Sequence, residues 1–172
     1  MERRGFIQVA AAAAATTAGA AAVSATRKQG SSMHLSIVEE VIRAWRRGDI
    51  DAALMHVADD IVWHSHVGSP PLLGKAAMRD LMKTLAGGMR DVRWRVVSHA
   101  ESGDSFFAEG VEEFVTPAGH RVALPYMGIM VFRGRLIAEW RDYFDRALYD
   151  RMKSGEPSPD YIATLAARPG VP

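Results

Sequence analysis

Val92-Arg93-Trp94-Arg95-Val96 opens the half of the chain that decides the fold. Its apolar residues alternate with arginines, a period of two that turns one face of a strand inward and the other to solvent. Longer runs follow: Phe107 to Val115, the hairpin turn Thr116-Pro117-Ala118-Gly119-His120, Arg121 to Phe132, and Arg133-Gly134 turning into Leu136 to Phe144. Connections this short join antiparallel neighbours.

Upstream the period is that of a helix. Leu35, Val38, Val41, Ile42 and Trp45 share one face, with Glu39, Glu40, Arg43, Arg46 and Arg47 turned outward. Gly48 ends this helix, Asp49 caps the next, and Ile50, Ala53, Leu54 and Val57 predict a short second one. Ile61 to His66 reads as a strand, and Val67-Gly68-Ser69-Pro70-Pro71 as a loop, because two prolines extend neither element. Lys75 to Leu85 reads as a third helix with Met78, Leu81, Met82 and Leu85 inward, closed by Gly87-Gly88. Three helices before a run of strands predict an α+β domain, helices packed on one face of a curved sheet. A last short helix is expected over Ala147 to Met152. The domain is expected over 34–153, and 154–172, rich in proline at its start, as a C-terminal tail.

The chain has 172 residues, 48% of them hydrophobic and 24% charged, enough for one buried core. With 21 basic against 20 acidic side chains, no cation excess exists to hold a nucleic-acid backbone. The absence of cysteine excludes disulfides, thiolate metal sites and thiol nucleophiles. Residues 1–29 stand apart. Arg3-Arg4 followed by Phe6-Ile7 and then an uncharged run of small residues from Val9 to Ala25 has the form of a twin-arginine export signal. An Ala-rich helical tail is the competing reading, since alanine has the best helix propensity, but alanine is too weakly apolar for a convincing membrane span. Cleavage after Ala25 removes Glu2, Arg3 and Arg4 and takes the formal charge from +1 to zero. The mature protein is therefore expected outside the cytoplasm, periplasmic or extracellular, with no membrane or nucleic-acid partner.

The order of elements, with Gly48-Asp49-Ile50-Asp51 before the second helix and Trp140-Arg141-Asp142-Tyr143-Phe144-Asp145 on the last strand, resembles the nuclear transport factor 2-like (SnoaL-like) superfamily. Within it the sequence is most similar to the limonene-1,2-epoxide hydrolase group. The likeness runs from about Leu35 to Met152, the extent of one domain. It implies a cone: a bent sheet wrapped around helices, with a deep apolar cavity for a small molecule and a homodimer formed through the outer sheet face. The group opens epoxides in one step with two aspartates, a bridging arginine, and a tyrosine and an asparagine that position water. On this sequence the aspartates fall on Asp142 and Glu112, the arginine on Gly110, and the tyrosine and asparagine on Trp63 and Ser65. Only Asp142 is unchanged. Similarity to ketosteroid isomerases is weaker, because their base and acid positions fall on Ser65 and Gly128.

The residues themselves carry a reading of their own. Alternation puts Gly110, Glu112 and Phe114 on the inner face of one strand, and Trp140, Asp142 and Phe144 on that of another. Two carboxyl groups in an apolar hole, with no guanidinium between them, share one proton near neutral pH. Such a pair takes a proton with one member and gives one with the other. Cavity-lining and backbone-bonding roles for these acids are the competing account. Tyr126 is the candidate donor to a substrate oxygen. Trp63, Ser65, Leu124, Trp140, Phe114 and Phe144 are expected as pocket walls, and Gly110 as a position whose missing side chain enlarges the cavity. The alternation that turns Trp63 and Ser65 inward turns His64 and His66 out, so neither metal nor other cofactor is expected, although a one-residue slip would reverse this and make either histidine a base. Two functions stay open: an enzyme of acid-base chemistry on a small apolar substrate (epoxide opening, cyclisation, dehydration or isomerisation), and a non-catalytic protein that binds an apolar ligand in the same cavity.

Overall fold

A computed structural model of the chain describes residues 32–171, so the export signal expected over 1–29 lies outside the described residues. The elements are α1 (Met33–Arg46), α2 (Ile50–Leu54), β1 (Val57–His64), β2 (Leu72–Leu73), α3 (Lys75–Gly87), β3 (Arg90–Ser102), β4 (Ser105–Val115), β5 (Arg121–Arg133), β6 (Leu136–Tyr143), α4 (Arg146–Lys153) and α5 (Asp160–Ala166). One mixed sheet runs in the order β2-β1-β6-β5-β4-β3. β3 to β6 form an antiparallel meander, and β1 crosses over to lie parallel to β6. The architecture is the expected α+β one, a curved sheet with helices against its inner face.

The helix forms where its caps and its apolar stripe agree. Ser32 Oγ accepts from the Leu35 amide at 3.0 Å, supplying the N-cap of α1. Ile37, Val38, Val41 and Ile42 are almost wholly buried against Ile61, Phe106 and Ile137 of the sheet. Gly48 then takes a φ of 72°, a turn conformation that a side chain disfavours, and the Asp49 carboxylate caps α2 through the Ala52 amide.

Two expectations are corrected here. Val57 belongs to β1 and not to the second helix: it pairs with Ile137, and the Ile137 amide donates to the His56 carbonyl at 2.8 Å. A β-branched residue beside an open strand partner is better satisfied there than at a fraying helix end. The segment after Ser154, expected as a C-terminal tail outside the domain, packs against it. α5 buries Ile162 against Phe114, Val122, Leu148 and Met152, Val171 exchanges two 2.9 Å backbone hydrogen bonds with Val96, and Arg168 pairs with Glu109 at 2.6 Å. A single isoleucine as anchor leaves too little periodicity to read in advance. No helix among the described residues is long and apolar enough to cross a membrane.

Candidate functional site

Strand register fixes the site. Glu112 of β4 stands opposite Leu124 of β5, Gly110 opposite Tyr126, and Asp142 of β6 opposite Gly128. Leu124, Tyr126 and Gly128 follow one another along the inner face of β5, so the two acids flank Tyr126 from the strands on either side. Across the β1–β6 pairing Trp63 stands beside Trp140, and across β3–β4 Trp94 stands beside Glu112. These residues line a cavity of about 250 Å³, closed on the helix side by Val41 and Trp45 of α1 and Met78, Leu81 and Met82 of α3. That is slightly below the roughly 300 Å³ at which drug-sized ligand pockets begin, a volume that suits a small molecule.

All four tryptophans of the sequence turn their indole N–H toward this polar centre. Trp45 donates to Glu112 Oε1 at 3.3 Å. Asp142 accepts at both oxygens, from Trp140 at 2.8 Å and from Trp63 at 3.2 Å. Trp94 donates to the Tyr126 hydroxyl, leaving the phenol O–H as a donor still to be used. An indole carries a large apolar body and one donor, so it walls a cavity and still satisfies an acid within it. Among the described residues neither carboxyl group has a lysine or arginine partner, and the hydrogen bond that Glu112 receives, from Trp45, is to Oε1.

Burial without a counter-charge sets the protonation. It raises Asp142 from the ordinary 3.8 to about 7; the two indole donors oppose the rise and the neighbouring Glu112 adds to it. Burial likewise raises Glu112, opposed by one indole, and raises Tyr126, whose phenol stays protonated throughout the physiological range. Tyr149, between the cavity and the surface, is raised by burial and then by Glu112.

Glu112, Asp142, Tyr126, Trp63, Ser65, Leu124, Trp140 and Phe144 all line the cavity. Gly110 and Phe114 do not. The space over Gly110 is occupied by Tyr126, whose ring and hydroxyl crowd it together with the Arg95 carbonyl, so the missing side chain admits a phenol and adds nothing to the cavity. Gly110→Ala is therefore expected to destabilise the fold by about 1–3 kcal/mol through overpacking, read as a lower urea midpoint with unchanged slope. Phe114 is sealed into the second core under α4 and α5, with Tyr149 at 6.3 Å; the unanticipated docking of the C-terminal segment put it there. His66 lines the cavity, its ring 4.7 Å from Phe144, although alternation had turned it out. Pairing of β1 stops at His64, and beyond the last ladder position strict alternation no longer holds. Sequence reasoning also missed Trp45, Trp94, Arg146 and Tyr149 as lining residues. The one available signal was that a buried indole N–H needs an acceptor. Among the described residues no three His, Asp or Glu side chains gather as a metal set.

The SnoaL-like domain profile matches residues 38–140, well over half the chain. The chain belongs to the SnoaL-like family. Solved structures resembling this SnoaL-like chain share its nuclear transport factor 2-like fold. A protein of unknown function from Burkholderia pseudomallei is 19% identical, with 72% of this chain and 98% of that one covered at a TM-score of 0.65. An LEH-like epoxide hydrolase of M. tuberculosis is 20% identical over 77% of this chain and 95% of its own, TM-score 0.62. SalBIII, an epoxide hydrolase/cyclase-like enzyme of pyran ring formation in salinomycin, is 19% identical over 65% and 90%, TM-score 0.60. No curated protein matches the SnoaL-like chain.

Proposed function

We propose that the protein is a small-molecule enzyme of the epoxide hydrolase and cyclase kind, using Glu112 and Asp142 as an acid–base pair on an apolar substrate. The observation that carries this is two carboxyl groups facing one apolar cavity, each bonded to indole N–H groups and neither neutralised by a cation. The charge of Glu112 adds to the rise of Asp142, so Glu112 is ionised while Asp142 still holds its proton: Glu112 serves as base and Asp142 as acid. In epoxide opening the Glu112 carboxylate takes a proton from water, whose oxygen bonds to an epoxide carbon. The C–O bond breaks, and Asp142 protonates the departing oxygen to give a vicinal diol. The same pair could move a proton from carbon to oxygen in an isomerisation or cyclisation. Tyr126, with its hydroxyl proton unused, is the positioning donor for the substrate oxygen. The names of the epoxide hydrolase and cyclase neighbours favour this over simple ligand binding. A panel of small epoxides and enones, assayed with the wild type and with Glu112→Gln and Asp142→Asn, tests it: turnover by the wild type and its loss in both folded variants is the expected result, and no product from any member favours the binding protein.

The homodimer is part of the same proposal. Met127 is 50% and Tyr143 40% exposed, and the two are paired neighbours on the outer face of β5 and β6, an apolar patch that a second copy would cover. Sedimentation is expected to show a dimer, and Met127→Glu a shift toward monomer; a wild-type monomer at every concentration would overturn it.

A further inference from the structure

We propose that the same cavity is a binding site for a small tertiary or quaternary organic ammonium ion, seated between Glu112 and Asp142 and surrounded by aromatic walls. The inference rests on these two carboxyl groups, as the proposed catalysis does, but needs no turnover. Two acids line one cavity, and among the described residues no lysine or arginine is bonded to either. The site is thus short of one cation. Of the lining residues only Arg146 is cationic; its side chain is 56% exposed and its Nε is bonded to both oxygens of Asp150, so it answers Asp150 and not the buried pair.

The walls select which cation. A primary ammonium is strongly hydrated and asks for three acceptors. A nitrogen carrying three or four carbon substituents is weakly hydrated and presents an apolar surface that apolar walls accept while carboxylates answer its charge. Trp45, Trp63, Trp94, Trp140, Tyr126 and Phe144 line the cavity with large apolar bodies, and about 250 Å³ suits an ion of this size.

Binding needs the carboxylates ionised, so it expels protons and strengthens as pH rises through the range where the pair titrates. The titratable groups facing the pair are His66 from the end of β1, Tyr126 of β5, and Tyr149 and Arg146 of α4; α1 and α3 contribute none to the lining. The two tyrosines and the arginine, all raised, keep their protons across this range.

The test uses the whole protein, phenyltrimethylammonium, and its uncharged carbon isostere tert-butylbenzene, followed by tryptophan fluorescence and calorimetry. At pH 8 the ammonium ion is expected to bind about tenfold or more tightly than the isostere. That preference should shrink as the pH is lowered to 5.5 and disappear in the Glu112→Gln/Asp142→Asn double variant. Equal or tighter binding of the isostere at pH 8, no saturable binding of the ammonium ion, or a preference that survives in the folded double variant overturns the proposal. Should that variant not fold, the comparison of the two probes on wild type decides. A protein that binds the cation and turns over no substrate upholds this site and removes the catalytic reading, so the two fail separately.

Discussion

Glu112→Gln is expected to lower turnover by about 10²–10⁴-fold, the range that a positioned general base contributes, while leaving the fold in place. Glutamine keeps the length of the side chain, and its amide oxygen still accepts from Trp45, so the bond at 3.3 Å has a successor. What disappears is the basic oxygen. The wild-type pH profile of kcat/KM should be bell-shaped. Its alkaline limb falls above about pH 7 as Asp142 gives its proton up and ceases to be an acid, and its acid limb falls as Glu112 takes up a proton and ceases to be a base. In the glutamine variant the residual activity should keep the alkaline limb and lose the acid one. Steady-state kinetics across pH on the best substrate of the panel checks this; undiminished turnover with an unchanged profile would take Glu112 out of the reaction.

The second large effect is on stability. Asp142 titrates at about 7 in the folded protein against 3.8 for the free side chain. Between those values the unfolded chain releases a proton that the folded one retains. Stability is therefore full below about pH 4, falls as the pH rises toward 7, and is flat above. The total loss is about 4 kcal/mol, from the usual free energy per unit of pKa difference. Glu112, raised by the same cause, adds to the loss with the same sign. Asp142→Asn removes the Asp142 part of the slope. Asparagine has one acceptor oxygen for two indole donors, so the variant also carries a constant penalty of about 1–3 kcal/mol for the orphaned N–H. The two effects separate by pH: the variant should be less stable than wild type at pH 4 and more stable at pH 8. Urea unfolding at both pH values measures it, and a stability difference that does not change with pH would show that Asp142 is not held protonated.

Much of the site was legible because it lies where strand alternation is enforced. β4, β5 and β6 are interior or long-paired strands, so a one-residue slip would expose Phe106, Met130 and Trp140 along with the acids; the inward side of Glu112, Asp142 and Tyr126 follows from that constraint. His66 was misread because it stands two residues past the last paired position of its strand. Gly110 and Phe114 were misread for a different reason: what fills space above an inward position comes from elsewhere in the chain, a cross-strand tyrosine in one case and α4 and α5 in the other. Trp45 occupies an apolar helix position and looks like core, which it is; that its N–H also reaches Glu112, 67 residues away, is a tertiary fact. The family resemblance pointed to Asp142 and Glu112, but the three indoles that bond them in place of charged partners became visible only in three dimensions.

The protonation state of the pair at neutral pH is the claim on which both proposals stand. Infrared difference spectroscopy across a pH titration, with Asp142→Asn and Glu112→Gln to assign the bands, reads it directly from the carbonyl stretch of a protonated carboxylic acid. A protonated-acid band that persists at pH 6, declines through about pH 7 and is missing from the Asp142 variant is the expected result. Both groups fully ionised by pH 5 would contradict it.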